Sequence, residues 1–287
     1  MNSSDPKPID KAVGLIVGGV QMTSGRSVAG NLVQAADGIA EAAARGAQLV
    51  VLPENFATLG TGEAADIASQ EAVEGSMANW VMDQAKAHGI TLVAGTVPVR
   101  QDSGKSRARC LVVGPDGQAT AQYDKIHLFD ADVGDAQGRY IESDHYEAGT
   151  DVVTFKVLDR LGQSLTVGLT VCYDLRFPEL FYAFRKAVAD LVLVPSAFTH
   201  RTGQVHWELL LRARAVEQGM YVLGVNQCGW HDSKRRTWGH SQLIDPWGET
   251  IAALASEPDV LVGQVELQRV QRIRRIMPTF EHHRMDA

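Results

Sequence analysis

Short apolar runs alternate with amphipathic stretches along most of this chain, and in two places the alternation gives way to a tight turn between neighbouring runs. That mixture admits few folds. VGLIVGGVQM (Val13–Met22) reads as a strand. Ser27 can cap a helix running to Arg45, with Val28, Leu32, Ala36, Ile39 and Ala43 on one face and Gly46 as its stop. AQLVVLP is a second strand, residues 70–88 a second helix stopped by Gly89, and ITLVAGTVPV a third strand. RARCLVVG and ATAQYDK then flank Pro115-Asp116-Gly117-Gln118, a hairpin signal. Residues 129–149 lack periodicity and read as one long loop, of the kind that is often functional. Residues 164–171 form a buried strand, a helix follows Pro178, and LVLVPS, a helix over 204–218 and YVLGVNQ continue the rhythm. SQLI and TIAAL flank the turn Asp245-Pro246-Trp247-Gly248, and DVLVGQVEL and a short basic helix complete the chain. Strand–helix units mixed with hairpins predict an α/β fold of two mixed sheets packed face to face with helices outside.

The chain has 287 residues, 45% of them hydrophobic, enough for a large core without disorder. No repeat or linker divides it, so one domain over 1–287 is expected, with a core of about 13–277 between short tails. A net charge of -7 gives no general attraction for nucleic acid or an anionic membrane. The basic C-terminal stretch QRVQRIRRIMPTFEHHR reads as a solvated helix face. Three cysteines are too few for a disulfide framework and suggest a reducing compartment. No secretory signal is apparent, and no run approaches the roughly 18 apolar residues of a membrane span. A cytoplasmic location is expected.

Three strand-like runs end in reactive groups: AQLVVLPE at Glu54, ATAQYDK at Lys125 and SLTVGLTVC at Cys172. Amide hydrolysis needs a nucleophile, a base, an acid for the leaving nitrogen and donors for the oxyanion. Cys172 can attack, but a free thiol is mostly protonated near neutrality unless its site helps. Lys125, and the N-terminus of the helix after Pro178, are the groups that would lower its pKa. Glu54, partly desolvated at a strand end, can serve as base and then as acid. Lys125 and the Tyr173 N–H can form an oxyanion hole. Each residue also has a plainer reading: a small buried hydrophobe for the cysteine, an edge charge for the lysine, a turn residue for the glutamate. Cys110 and Cys228 fit the plain reading better. His127, His206 and His240 are open as partners in a Cys–His pair, though none lies in a matching local signature. Metal-ligand spacings and Gly-rich phosphate loops are missing, and no organic cofactor is implied.

VVLPENF, YDKIHLFD and VCYDLRFPEL closely resemble, in order, the three signature segments of the nitrilase superfamily of carbon–nitrogen hydrolases. The likeness continues through PSAFTHRTGQVHWELLLRARAVEQGMYVLGVNQCG and GHSQLIDPWGE. The resemblance implies Glu54 as general base, Lys125 as the cation at the oxyanion and Cys172 as nucleophile. It also implies a second glutamate in the loop after the lysine, for which Glu142 is the better match and Glu147 the other occupant. The implied fold is an α-β-β-α sandwich. Dimerisation through the helices after the cysteine is also implied, placing ELFYAFRKAVA and the helix around 207–216 near a homodimer interface. The opposing expectation is a monomer that uses Phe181, Tyr182 and Phe184 as core.

Within the superfamily the text is similar to the Nit branch, to deaminated-glutathione amidases first and omega-amidases next. The implied substrate is a small linear amide bearing a carboxylate beside a keto group. A buried carboxylate needs a partner, and Arg176 is the candidate because a guanidinium binds carboxylate through two parallel hydrogen bonds. Its alternative is a structural pair with Asp174 or Glu179. Phe198 and Thr199, after a strand end, are further candidates to line the pocket. Three other readings stay open: an N-carbamoyl amide hydrolase, a non-catalytic interaction protein on the same fold, and a thiol redox sensor at Cys172, which has no resolving cysteine nearby.

Overall fold

The computed structural model describes residues 14–59, 75–136 and 138–285. Two six-stranded sheets dominate it. The first has the order β16-β1-β2-β3-β4-β5, with β1 (Leu15–Gln21), β2 (Leu49–Val51), β3 (Thr91–Arg100), β4 (Ser106–Val113), β5 (Ala119–Asp124) and β16 (Asp259–Val265). The second runs β15-β14-β11-β10-β9-β8, with β8 (Thr154–Leu158), β9 (Ser164–Leu169), β10 (Leu191–Ser196), β11 (Tyr221–Asn226), β14 (Gln242–Ile244) and β15 (Thr250–Ala253). Each sheet has three parallel strands at its centre, β1–β3 and β9–β11, and antiparallel strands at both sides. Parallel neighbours need a crossover connection and antiparallel ones only a turn. The alternation of strand–helix units with hairpins in the sequence reflects that difference.

The helices are α1 (Val28–Ala44), α2 (Ser76–His88), α3 (Pro178–Lys186), α4 (His200–Gln218) and α5 (Leu267–Ile276). Side chains alternate across each central strand. Leu15 and Val17 of β1 belong to the core shared with the second sheet, whereas Ile16 and Val20 pack with α1 and α2. On the second sheet, Phe181 and Phe184 of α3 and Trp207 and Leu211 of α4 are fully buried. The result is the expected four-layer α-β-β-α arrangement.

Several expectations shift. Ser27 does cap α1, accepting the Gly30 N–H at 3.1 Å. The helix's buried stripe, however, is Asn31, Ala35, Gly38, Ile39 and Ala42, rotated from the predicted face so that only Ile39 is shared. Small residues there let the helix axis come close to β1, and the larger Val28 and Leu32 pack at the flank. The second helix starts at Ser76 after the left-handed Gly75; the predicted start, 70–74, lies outside the described residues. Residues 129–149 are not one loop. They hold a small hairpin, β6 (Asp130–Asp132) with β7 (Arg139–Ile141), and a 3-10 turn at Glu142–Asp144. A second small hairpin pairs β12 (Cys228–Trp230) with β13 (Arg236–Trp238). Strands this short carry too little periodicity to register as a pattern. The C-terminal basic helix is not simply solvated: Arg269 pairs with Asp245 and Glu249, and Arg274 donates to Gly219 O at 2.9 Å.

Candidate active site

Glu54, Lys125 and Cys172 follow the ends of β2, β5 and β9, and all three line one cavity of about 350 Å³. Carboxyl ends of central parallel strands, here β2 and β9, commonly open onto such crevices, and the antiparallel edge strand β5 adds Lys125 from the side. Two close approaches aim the first pair. Beside β2, a Cβ on Gly95 would lie 2.2 Å from Pro53 O, so only glycine lets the chain turn there. Asn55, left-handed at φ 57, is held by its N–H donating to Thr96 Oγ1 at 2.8 Å. Likewise, a Cβ on Gly149 would lie 2.1 Å from Asp124 O, and the Gly149 N–H donates to Lys125 O at 2.8 Å.

Lys125 is 2% exposed. Its Nζ lies 2.9 Å from Glu54 Oε1 and 2.8 and 3.0 Å from the two Glu142 oxygens. Glu54 Oε2 accepts the Ala197 N–H at 2.8 Å, and Glu142 Oε2 accepts the Phe129 N–H at 2.6 Å. Glu142, not Glu147, reaches the lysine. Glu147 instead pairs with Arg107 at 3.0 Å and accepts from Ser103.

Cys172 is 8% exposed and sits at φ 49, a left-handed conformation that costs a non-glycine residue on the order of 1–3 kcal/mol. It opens a short 3-10 turn, Cys172–Arg176. That turn separates it from α3, so the α3 N-terminus is not the thiol's immediate neighbour as expected. Buried Asp174 holds the turn. Its Oδ2 accepts the Tyr123 hydroxyl at 2.6 Å and the Val171 N–H at 2.8 Å, and its Oδ1 accepts the His127 N–H at 3.0 Å. His127 Nδ1 lies 2.7 Å from the same Oδ1, and its ring stacks on Phe177 at 3.6 Å. Sequence reasoning missed Asp174 and Tyr123 as positioning residues. The available signal was a carboxylate two residues after the thiol, at the end of an apolar strand.

Electrostatics correct a second expectation. Burial pushes the Cys172 thiol well above its usual pKa, and nearby Glu54 adds to the rise. Lys125 and a hydrogen bond from the Ala197 backbone oppose it without prevailing. Burial alone would lower the Lys125 pKa, but Glu142 and Glu54 outweigh it and raise the pKa well above the usual value. One ammonium already serves two carboxylates. A thiolate beside them would leave two uncompensated negative charges in a desolvated cavity, which is costly. Burial and Glu54 therefore favour the neutral thiol in the resting site, where Lys125 was expected to lower its pKa.

The other predicted residues fall on the same cavity. Tyr173, Arg176, Phe198 and Thr199 all line it. The Arg176 guanidinium lies 5.1 Å from the Phe198 ring centroid and 5.8 Å from that of Tyr173, and its Nη1 is 3.2 Å from His206 Nδ1. Among the described residues it forms no ion pair with Asp174 or Glu179, so the alternative of a structural pair is set aside; Asp174 is taken by Tyr123, His127 and Val171. The Phe198 N–H donates to Asn226 Oδ1 at 2.9 Å, and Thr199 Oγ1 lies 2.8 Å from Thr202 Oγ1. The three histidines are engaged elsewhere: His127 with Asp174, His206 with Arg176 and His240 with Trp238 O. Cys110 and Cys228 are buried and do not line the cavity.

The Carbon-nitrogen hydrolase family model matches residues 16–275. The chain is 37% identical over 265 residues to the deaminated glutathione amidase of Synechocystis sp. (strain PCC 6803 / GT-S), covering 92% of this chain and 96% of that one. It is 37% identical over 268 residues to the omega-amidase NIT2 of Danio rerio, covering 93% and 94%. The crystal structure of the C. elegans NitFhit protein superposes with a TM-score of 0.85 at 35% identity, covering 95% of this chain and 66% of that longer one.

Proposed function

The chain belongs to the carbon–nitrogen hydrolase family, and on that premise we propose that it is an amidase that cleaves a small linear amide through a thioester on Cys172. Supporting this is the meeting of Glu54, Lys125 and Cys172 around one cavity, with Lys125 buried between two carboxylates.

Cys172 Sγ attacks the amide carbon while Glu54 takes the thiol proton. The negative oxygen that forms is met by the Lys125 charge and the Tyr173 N–H, donors already in place before the charge appears. Glu54 passes the proton to the amine nitrogen, the C–N bond breaks, and a thioester remains. Water then gives a proton to Glu54 and attacks the thioester carbon; the acid leaves and the proton returns to sulfur. Glu142 holds Lys125 in position and balances its charge. Burial of the thiol disfavours a free thiolate while the site is empty, so Glu54 takes the proton as the sulfur attacks.

We assign the substrate as deaminated glutathione, with 2-oxoglutaramate and N-carbamoyl amides as the competing substrates. Rates on the three compounds decide: deaminated glutathione is expected to show the highest kcat/KM, and no hydrolysis of any would remove the amidase reading. Arg176 receives the acyl-side carboxylate in this assignment. Replacing its two-pronged donor by the single ammonium in Arg176→Lys should raise KM roughly 10-fold or more and change kcat less. An unchanged KM would take Arg176 out of substrate binding.

We also propose that the protein is a homodimer joined through α4. Val205, Leu209 and Val216 are 61%, 64% and 48% exposed on that helix and fall at spacings that share one face. Phe181 and Phe184, fully buried within the chain, are core and not interface. Sedimentation equilibrium at micromolar protein should give twice the chain mass, and Leu209→Glu should return it to one. A wild-type mass of one chain would end the dimer proposal. Three buried free cysteines support a reducing, cytoplasmic location.

A further inference from the structure

Arg235 brings a buried, unanswered donor to the cavity wall. It lies in the connection between β12 and β13, where its backbone N–H and that of Lys234 donate to Asp232 Oδ1, both at 2.7 Å. Its side chain lines the same cavity as Cys172. The guanidinium lies 5.9 Å from the Tyr140 ring centroid. Its Nε is buried and has no hydrogen-bond partner among the described residues. A buried donor of a charged group left unsatisfied is costly and calls for an explanation. Most other partly buried arginines are paired: Arg109 with Asp124, Arg214 with Glu217, Arg269 with Asp245 and Arg274 with Asp190.

The charge of the cavity points the same way. Among the described residues its lining carries the cations Lys125, Arg139, Arg176 and Arg235 and the carboxylates Glu54 and Glu142. Lys125 is consumed by the two glutamates. Arg139 is exposed and its charge acts on Asp130. Arg176 and Arg235 remain, on different elements. Arg176 stands on the nucleophile's own turn, against Tyr173 and Phe198, whereas Arg235 stands on a separate hairpin, against Tyr140 of β7. An anion held by Arg176 belongs to the acyl group bonded to Cys172. With the acyl-side anion assigned to Arg176, Arg235 is the cation left for an anion on the amine portion.

We infer that Arg235 binds a second carboxylate, on the amine portion of the substrate, so that the enzyme selects amides whose released amine is an amino acid or short peptide over those that release ammonia. This deepens the amidase reading and rests on it. A dianionic amide answers both Arg176 and Arg235, whereas a monoanionic one leaves the Arg235 Nε without a partner, the kind of mismatch by which polar sites reject smaller substrates.

The test compares wild type, Arg235→Gln and Arg235→Lys on three substrates: deaminated glutathione, its analogue with the terminal carboxylate capped as an amide, and 2-oxoglutaramate. Arg235→Gln should lose roughly 10- to 100-fold in kcat/KM on deaminated glutathione, mostly through KM. It should stay within about twofold of wild type on 2-oxoglutaramate. Wild type should discriminate against the capped analogue by a similar factor, Arg235→Gln should lose that discrimination, and Arg235→Lys should keep part of it. An equal loss on all three substrates, or no loss on any, overturns the assignment. So does transfer of the selective loss to Arg139→Gln. Failure of wild type on every substrate would instead bring down the amidase reading itself.

Discussion

Cys172→Ala is expected to abolish turnover, by at least about 10⁴-fold, with the fold intact. Every bond change in the proposed cycle passes through this sulfur, and no other thiol lines the cavity. The Sγ atom faces that cavity, so its removal leaves no sealed void, and stability should stay within about 1 kcal/mol of wild type. Intact-mass spectrometry after a substrate pulse gives the direct reading. Wild type should carry an acyl group on the peptide containing Cys172, and the variant none. The left-handed backbone adds a control: alanine keeps the strain at φ 49, while Cys172→Gly releases it. The glycine variant should be equally inactive yet about 1 kcal/mol more stable than the alanine variant. Turnover by Cys172→Ala above one-hundredth of wild type would move the nucleophile elsewhere.

Lys125→Ala is expected to have the largest combined effect. It leaves the carboxylates of Glu54 and Glu142 facing one another in a buried site without the ammonium that now lies 2.8–3.0 Å from each. Removing one partner from a buried charge cluster typically costs about 3–5 kcal/mol, and losing the oxyanion's cation costs roughly a further 10²- to 10³-fold in kcat. The pH dependence separates this from a mere packing defect. In wild type the lysine's pKa is raised above its ordinary 10.5, so its contribution is fully present below that value and is lost only as pH rises through the higher folded value. In the variant, protonating either carboxylate relieves the repulsion. The gap in melting temperature between variant and wild type should therefore narrow as pH falls from 8 to 5, on the order of a few degrees per kcal/mol recovered. A gap that stays constant over that range would show that the lysine acts through packing alone.

Glu54, Lys125 and Cys172 were legible because each follows a strand-like run and lies in a segment, VVLPENF, YDKIHLFD or VCYDLRFPEL, that resembles a family signature. Two mixed sheets with helices outside were legible through the mixture of strand–helix units and hairpins. Other features were not. The face of α1 was misread because alanine and glycine bury as readily as valine and leucine when a helix lies close to a sheet, and periodicity alone does not rank them. The β6–β7 hairpin was hidden because its strands, Asp130–Asp132 and Arg139–Ile141, are too short to alternate visibly. Arg235 looked like one more basic residue in HDSKRR. Nothing in that string says that its Nε is shielded from water and unpaired.

Local pattern determined this protein's strands and helices, the order Glu54–Lys125–Cys172 and its family, because side-chain periodicity and turn chemistry act over a few residues. Tertiary structure decided which glutamate faces the lysine, that Asp174 anchors the nucleophile's turn, that burial raises the thiol's pKa, and that two arginines from different elements line one cavity. Those properties depend on distance and dielectric between segments far apart in the chain, and neither quantity exists until the two sheets close over the site.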